Sequence, residues 1–326
     1  MNMEFRRELD VRPLKEKINI RDQMMLTGSC FSENLGGKLV HNRFNVQFNP
    51  SGIMFNPVSI ADSITSYITN RSYDHSMIFK NQEWWTSWDH HSRFTHADAD
   101  ELLAMINGSQ KAAHEFLKKT KWLIITLGSA WVYQLDNGRV VANCHKVATD
   151  KFRKKLLSFE DVLSTLDNVI HRIFLFNPDI RIMFTVSPVR HLRDGFVENN
   201  RSKAVLIQAV HHLVDKFDKL YYFPSYELVI DDLRDYRFYS EDMVHPNYQA
   251  TEYVWQKFLK ACVDGSSLNV LAEINTINAA RAHKPFQPDS DAHRKFRKKQ
   301  YDSLQKLMIE YPYINWENDL SFFADH

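Results

Sequence analysis

The sequence predicts an α/β fold, a parallel sheet covered by helices on both faces. Short apolar runs alternate along the chain with stretches whose apolar residues recur at helical spacing. No internal repeat or low-complexity linker breaks that alternation. Right-handed crossovers between parallel strands bring the carboxyl ends of the strands to one edge, where a site is expected.

The elements follow in order. Residues 24–27 form a short apolar strand closed by Gly28, and a helix is expected from Phe31 to about Val40. Residues 45–48 make a second strand running into the loop NPSGIMFNP, and residues 58–68 a helix. KWLIITLGS holds a buried strand over 122–127, β-branched, apolar and closed by Gly128. Residues 159–174 place Val162, Leu166, Val169, Ile170 and Ile173 on one stripe. A strand over 181–186 is stopped by Ser187-Pro188, and a helix over 202–217 follows. A short strand over 220–223 and a helix after Pro246 complete the core. Two segments interrupt this pattern. Residues 70–120 hold Trp84, Trp85 and Trp88, read as core of an insertion rather than as sugar-stacking faces. Residues 132–150 suggest a hairpin around Asp136-Asn137-Gly138. The expected division is an α/β domain over 1–264 and a helical extension over 265–326. Leu271, Ile274 and Ile277 mark one helix of that extension, and Leu304, Leu307, Met308 and Tyr311 another. The basic run HRKFRKKQ between them is expected to be a solvated helix face.

Bulk properties exclude several function classes. A net charge of +1 supplies no field for a polyanion, so nucleic acid is not an expected partner. No run approaches the roughly 18 apolar residues of a membrane span. The start, MNMEFRRELDVRPLK, lacks the apolar core of a signal peptide, so a cytoplasmic location is expected. Three cysteines without framework spacing fit a reducing compartment. Neither HExxH nor a paired CxxC is present, and no metal or cofactor is expected.

Three elements carry chemistry. Ser29, in TGSCF, sits at a strand-to-helix turn, where backbone N–H groups and the helix dipole favour developing negative charge. An ordinary helix cap is the plainer role for a serine there. His245, in DMVHP, is a base able to activate a serine, and Asp242 three residues earlier can hold its Nδ1–H. Gly52 and Gly128 follow predicted strands, and Gly52 N–H is a natural second oxyanion donor. Cys30 adjoins Ser29, but successive residues in a tight turn point in different directions, so it is expected to be a buried small residue.

Together these segments resemble the GSCFA family, a branch of the SGNH (GDSL-like) hydrolase superfamily. The residues that carry the resemblance are GSCFSENLGGKL (28–39), NPSGIMFNPVSI (49–60), DHHSRF (89–94), TLGSAWVY (126–133), ANCHK (142–146), YFPSYE (222–227) and DLRDYRFYSEDMVHP (232–246). The resemblance implies a three-layer α/β/α fold with a mostly parallel sheet of about five strands. It implies Ser29 as nucleophile, Asp242 and His245 as its partners, and Gly52 as the second oxyanion donor. It also implies a small-molecule or glycan ester as substrate, with hydrolysis or O-acyl transfer as the reaction. The chain departs from the superfamily at Gly128-Ser129-Ala130-Trp131, where many members carry G-x-N-D. Asn143 and Ser129 are the candidates to replace that missing amide. His91 and His145 are further candidates to line the pocket. The departure also leaves open a non-catalytic module that keeps the fold to bind carbohydrate or a partner.

Overall fold

The computed structural model describes residues 7–324; the first six residues of the amino-terminal stretch read above lie outside it. In chain order the elements are β1 (Gln23–Gly28), α1 (Cys30–His41), β2 (Asn45–Phe48), α2 (Pro57–Thr69), β3 (Phe79–Asn81), β4 (Trp84–Thr86), α3 (Ala99–Lys119), β5 (Trp122–Leu127), β6 (Trp131–Gln134) and β7 (Arg153–Leu156). There follow α4 (Phe159–Phe176), β8 (Arg181–Val186), α5 (Phe196–Lys216), β9 (Leu220–Tyr222), the short α6 (Ser225–Glu227) with a π-helical turn at Leu228–Leu233, and α7 (Tyr248–Cys262). The chain closes with α8 (Gly265–Ala282), α9 (Asp291–Glu310) and α10 (Glu317–Ala324).

Five strands form the central sheet in the order β2-β1-β5-β8-β9, every neighbouring pair parallel. The two-residue period of a strand divides the core into two layers. Met24 and Leu26, Trp122 and Ile124, and Met183 face α1 and α7. Met25, Leu123, Ile125, Leu127, Ile182, Phe184 and Val186 face α2, α3, α4 and α5. This is the three-layer α/β/α arrangement.

The insertions differ in detail from expectation. Residues 70–120 contain the β3–β4 hairpin and the long helix α3, with a small core of Tyr73, Ile78, Phe94, Leu102, Leu103 and Ile106. Trp85 packs against that core and Trp88 stacks on Phe79 at 3.8 Å, while Trp84 is half exposed. The Asp136-Asn137-Gly138 turn is present, but the chain beyond it makes only one bridge, Gln134 to Val140. The full partner of β6 is β7, nineteen residues or more further along. Cross-strand pairing of Val132 with Lys155 outcompetes the local hairpin because Val132 and Leu157 anchor both strands in the core.

The three carboxyl-terminal helices share the core of the α1 layer. Val270, Leu271, Ile274, Ile277, Leu304, Leu307, Ile314, Trp316 and Phe323 are buried in one cluster with Ile18, Met24 and Leu39. α10 was not legible in the sequence pattern. Asp319 on it is buried and bonded to Arg43 at 2.6 Å and to Arg281 at 2.9 Å, which ties it to both the core and α8. HRKFRKKQ lies on α9, whose buried residues are Leu304 and Leu307. Trp316→Ala should therefore destabilise the whole chain by about 3–5 kcal/mol. Urea unfolding followed by far-UV circular dichroism is expected to show one displaced transition; a second, unshifted transition would contradict a shared core.

Candidate active site

β1 ends at Gly28 and α1 begins at Cys30, which makes Ser29 the N-cap of α1. Its Oγ accepts the N–H of Phe31 at 3.3 Å. The turn lies at the switch point of the sheet, because β1 leads to β2 on one side and β5 lies on the other. Such a point opens a crevice at the strands' carboxyl ends. Gly28 is held at φ +136°, and a Cβ there would come within 2.1 Å of Thr126 O on β5. Ser29 N–H donates to the same carbonyl at 3.2 Å, and Ser32 Oγ donates to Thr126 Oγ1 at 2.8 Å. The start of α1 is thus fastened to the end of β5.

Asp242 and His245 meet as their spacing suggested. Asp242 Oδ2 lies 2.6 Å from His245 Nδ1, and Oδ1 accepts the backbone N–H groups of Val244 at 2.9 Å and His245 at 3.0 Å. The backbone and side chain of His245, with Val244 N–H, hold the Asp242 carboxyl down at about 2. It is ionised at neutral pH and fixes the proton on Nδ1, leaving Nε2 as the basic nitrogen. Met243 closes the turn at φ +56°, a left-handed conformation unusual for its side chain. Arg190 N–H, beyond β8, donates to Val244 O at 3.3 Å and ties the turn to the rim. Ser29 and His245 are not hydrogen-bonded to each other. Ser29 is fully buried, and the His245 side chain is half exposed.

The other candidates separate. Gly52 stands at φ +88° under His91, whose Cβ would lie 2.2 Å from an added Cβ. Its N–H donates to Asn49 O at 2.8 Å, so the expected oxyanion donor instead closes a turn. Ser29 N–H is committed in the same way to Thr126. Cys30 N–H, in the first turn of α1, meets no backbone carbonyl among the described residues. The Cys30 thiol is pushed up by burial, which disfavours a thiolate. His91 is half-buried beside Gly52, its Nδ1 accepts Arg93 N–H at 3.3 Å, and burial, then Arg93, lowers its basicity.

Ser129 is not free to bind an oxyanion. Its N–H and that of Gly128 both donate to Phe55 O, and its Oγ lies 3.2 Å from Ser202 Oγ while accepting Trp131 N–H. Asn143 accepts His145 N–H through Oδ1 at 2.8 Å; its Nδ2 has no protein partner among the described residues. Ser129 and Asn143 do line one cleft of about 350 Å³, with Phe55, Trp131, Lys154 and His191. His145 is a scaffold residue rather than a pocket residue. It is buried, with Nδ1 2.9 Å from Thr86 Oγ1 and Nε2 2.8 Å from Ser87 O. A larger cleft of about 890 Å³ lies at the opposite end of the sheet, between α8, α10 and the start of β2, and includes none of these residues.

The sequence reading missed three residues of this rim. His191 touches Phe55, and its Nε2 is buried without a partner among the described residues; burial, then the charges of Lys203 and His245, hold it down at about 3. Lys203 is buried on α5 and donates to Gly128 O and Ser187 O, each at 2.7 Å, which clamps the ends of β5 and β8. A lysine between Asn199 and Leu206 on the buried stripe was the available signal. Asn49, fully buried, accepts Gly28 N–H through Oδ1 at 2.9 Å; its signal was its place just after β2.

Gly28→Ala should cost about 3 kcal/mol or more, since the contact it creates is with backbone and its φ disfavours a side chain. Thermal and urea unfolding read that loss directly. His90 offers a pH test. It is buried against Tyr73 and Phe94, and burial lowers it from 6.5 to about 4. Between these values the unfolded chain binds a proton that the folded chain does not, so stability falls as pH drops through that window. His90→Phe should flatten the slope of the urea midpoint between pH 6.5 and 4; an unchanged slope would contradict a neutral buried His90.

The family profile described as GSCFA family matches residues 23–258, and that described as GSCFA domain protein, C-terminal domain, matches residues 274–325. No curated protein matches the chain. Similar solved structures include a family 3 carbohydrate esterase from Talaromyces cellulolyticus, 8% identical with a TM-score of 0.35, over 78% of this chain and 99% of that one. Another is the Clostridium thermocellum family 3 carbohydrate esterase, at 12% and 0.36 over 78% and 98%. An acetyl xylan esterase from the rumen bacterium Butyrivibrio proteoclasticus stands at 12% and 0.36 over 81% and 65%. With a family match spanning the sheet, Ser29, Asp242 and His245, the chain belongs to the GSCFA family.

Proposed function

We propose that the chain is a serine esterase acting on an acyl ester through Ser29. The observation that carries this is the Asp242–His245 pair at 2.6 Å, standing on the same rim as a serine at a helix N-terminus. Ser29 Oγ leaves Phe31 N–H, gives its proton to His245 Nε2 and attacks the ester carbonyl carbon. The tetrahedral intermediate collapses as His245 returns the proton to the departing alcohol, leaving an acyl-Ser29. Water, deprotonated by His245, then releases the carboxylic acid and restores Ser29. An acceptor alcohol in place of water makes the same site an O-acyltransferase. Asp242 holds the imidazole and stabilises its charged form.

Family membership supports an O-acylated sugar or glycan as substrate. The cleft lined by Trp131, Asn143 and His191 supplies aromatic and polar surface beside Phe55 and Gly128. Of the residues first considered for the pocket, Asn143 lines this cleft, while His91 lies outside its lining and packs over Gly52. The helices after residue 264 act as a packed extension of the α/β domain, not as a second catalytic unit.

A second reading has its own observation. A buried Ser29 out of contact with His245 fits a non-catalytic binding module. A fluorophosphonate probe separates the two. Wild type is expected to be labelled on Ser29 and to hydrolyse p-nitrophenyl acetate. His245→Ala should slow both by about 10³-fold or more, and Ser29→Ala should abolish labelling while Cys30→Ala preserves it. A folded wild type that takes no label would exclude the esterase and favour the module.

A further inference from the structure

The missing side-chain amide of the loop after β5 leaves the oxyanion unaccounted for, and the two backbone donors expected to share it, at Ser29 and Gly52, are engaged elsewhere. One side-chain donor at this turn is not. Asn49 is fully buried, and its Oδ1 accepts Gly28 N–H at 2.9 Å. A backbone N–H needs an acceptor, so this bond fixes which arm of the amide is oxygen. The other arm, Nδ2, is buried with no hydrogen-bond partner among the described residues. It therefore hangs from the residue that precedes the nucleophile, with both protons unclaimed.

The loop holds that amide in place against its own preference. Asn49 precedes Pro50, which favours extended backbone, yet it stands at φ +44°. Its N–H donates to Leu26 O at 2.8 Å, and its carbonyl accepts Gly52 N–H and the guanidinium of Arg93. Arg93 in turn reaches Glu33 on α1 at 3.5 Å. A strained residue fixed from four sides, carrying a buried donor that bonds nothing, is what a preorganised site for transient negative charge requires.

We propose that Asn49 Nδ2 donates a hydrogen bond to the oxyanion formed at Ser29, with Cys30 N–H as the second donor. The amide thus enters from the loop after β2 rather than from the loop after β5. No proton is transferred: Nδ2 donates to the carbonyl oxygen as it gains charge and relaxes when the carbonyl re-forms. This role rests on the esterase reading above.

The test compares wild type, Asn49→Asp and Asn49→Ala in p-nitrophenyl acetate hydrolysis and in inhibition by phenylboronic acid, which forms a tetrahedral adduct on serine. Asn49→Asp keeps an acceptor for Gly28 N–H and removes the amide donor; a buried carboxylate lowers its urea midpoint, so kcat and KM are read at a temperature and pH where circular dichroism shows the variant folded. Both variants should lose about 10²–10³-fold in kcat with KM changed less than about threefold, and boronate affinity should fall with kcat. If wild type turns over and Asn49→Asp retains kcat within about threefold, the role is overturned. The same holds if only Asn49→Ala loses activity and its unfolding midpoint falls with it, since that marks a purely structural amide. If wild type takes no fluorophosphonate on Ser29, the esterase reading itself fails, and this role fails with it.

Discussion

The close approach of Gly28 to Thr126 governs this molecule. Parallel strands β1 and β5 are neighbours whose chain connections diverge, and at their ends the two backbones touch where a side chain would otherwise stand. With no Cβ at residue 28, α1 starts immediately and Ser29 is set at its N-terminus, bonded to the same Thr126 carbonyl. A larger residue at 28 would separate the strands or displace the helix, and the polar groups of the rim would lose their common origin. The serine's position is therefore a consequence of sheet packing.

Around that contact the rim is built from buried polar groups that fasten loops to one another. Lys203 crosses from α5 to the carbonyls at the ends of β5 and β8, and burial lowers its basicity to about 7. Ser202, next to it, accepts Ala130 N–H at 2.7 Å and so holds the loop after β5 to the same helix. These bonds explain why Ser129 is a scaffold residue: its loop is fully occupied in joining α5 to β5. In water such bonds would contribute little, but an unpaired buried carbonyl costs about 1–3 kcal/mol, so each clamp matters through what its loss would expose. His191 Nε2 and Asn49 Nδ2 are among the buried polar atoms without a hydrogen-bond partner in the described residues, as are Arg190 Nη1 and Tyr239 Oη on the same rim.

The Asp242–His245 turn is different in kind. It is local, exposed and held mainly by its own bonds, with Met243 in a strained conformation at its centre. Its link to the rest of the rim is the Arg190–Val244 bond at 3.3 Å. Ser29 is buried and the His245 side chain is half exposed, so under the proposed function the imidazole is the partner with room to move. Hydrogen bonds at such sites commonly tighten only when substrate is bound.

Much of the fold was legible because its signals are local. Strands 45–48, 122–127 and 181–186 are bounded as their β-branched and apolar runs indicated, and the stripe beginning at Phe159 is the buried face of α4. α3 escaped because its stripe includes Gln110 and spaced alanines, and α10 because eight residues are too few to show a period. The 132–150 hairpin failed because β7, distant in sequence, offered a better buried partner. The Asp242–His245 contact was likewise legible, since three residues suffice for a side chain to turn back on its neighbour. By itself the sequence determined the five strands of the central sheet, most helices, the family and that contact, all of which depend on neighbours along the chain. The tertiary structure decided which amides remain free: it engaged Gly52 and Ser129, placed His145 in the scaffold, and left Asn49 Nδ2 without a partner among the described residues. Hydrogen-bond occupancy depends on which distant backbones meet at the ends of β1 and β5, and no periodicity in the chain encodes that meeting.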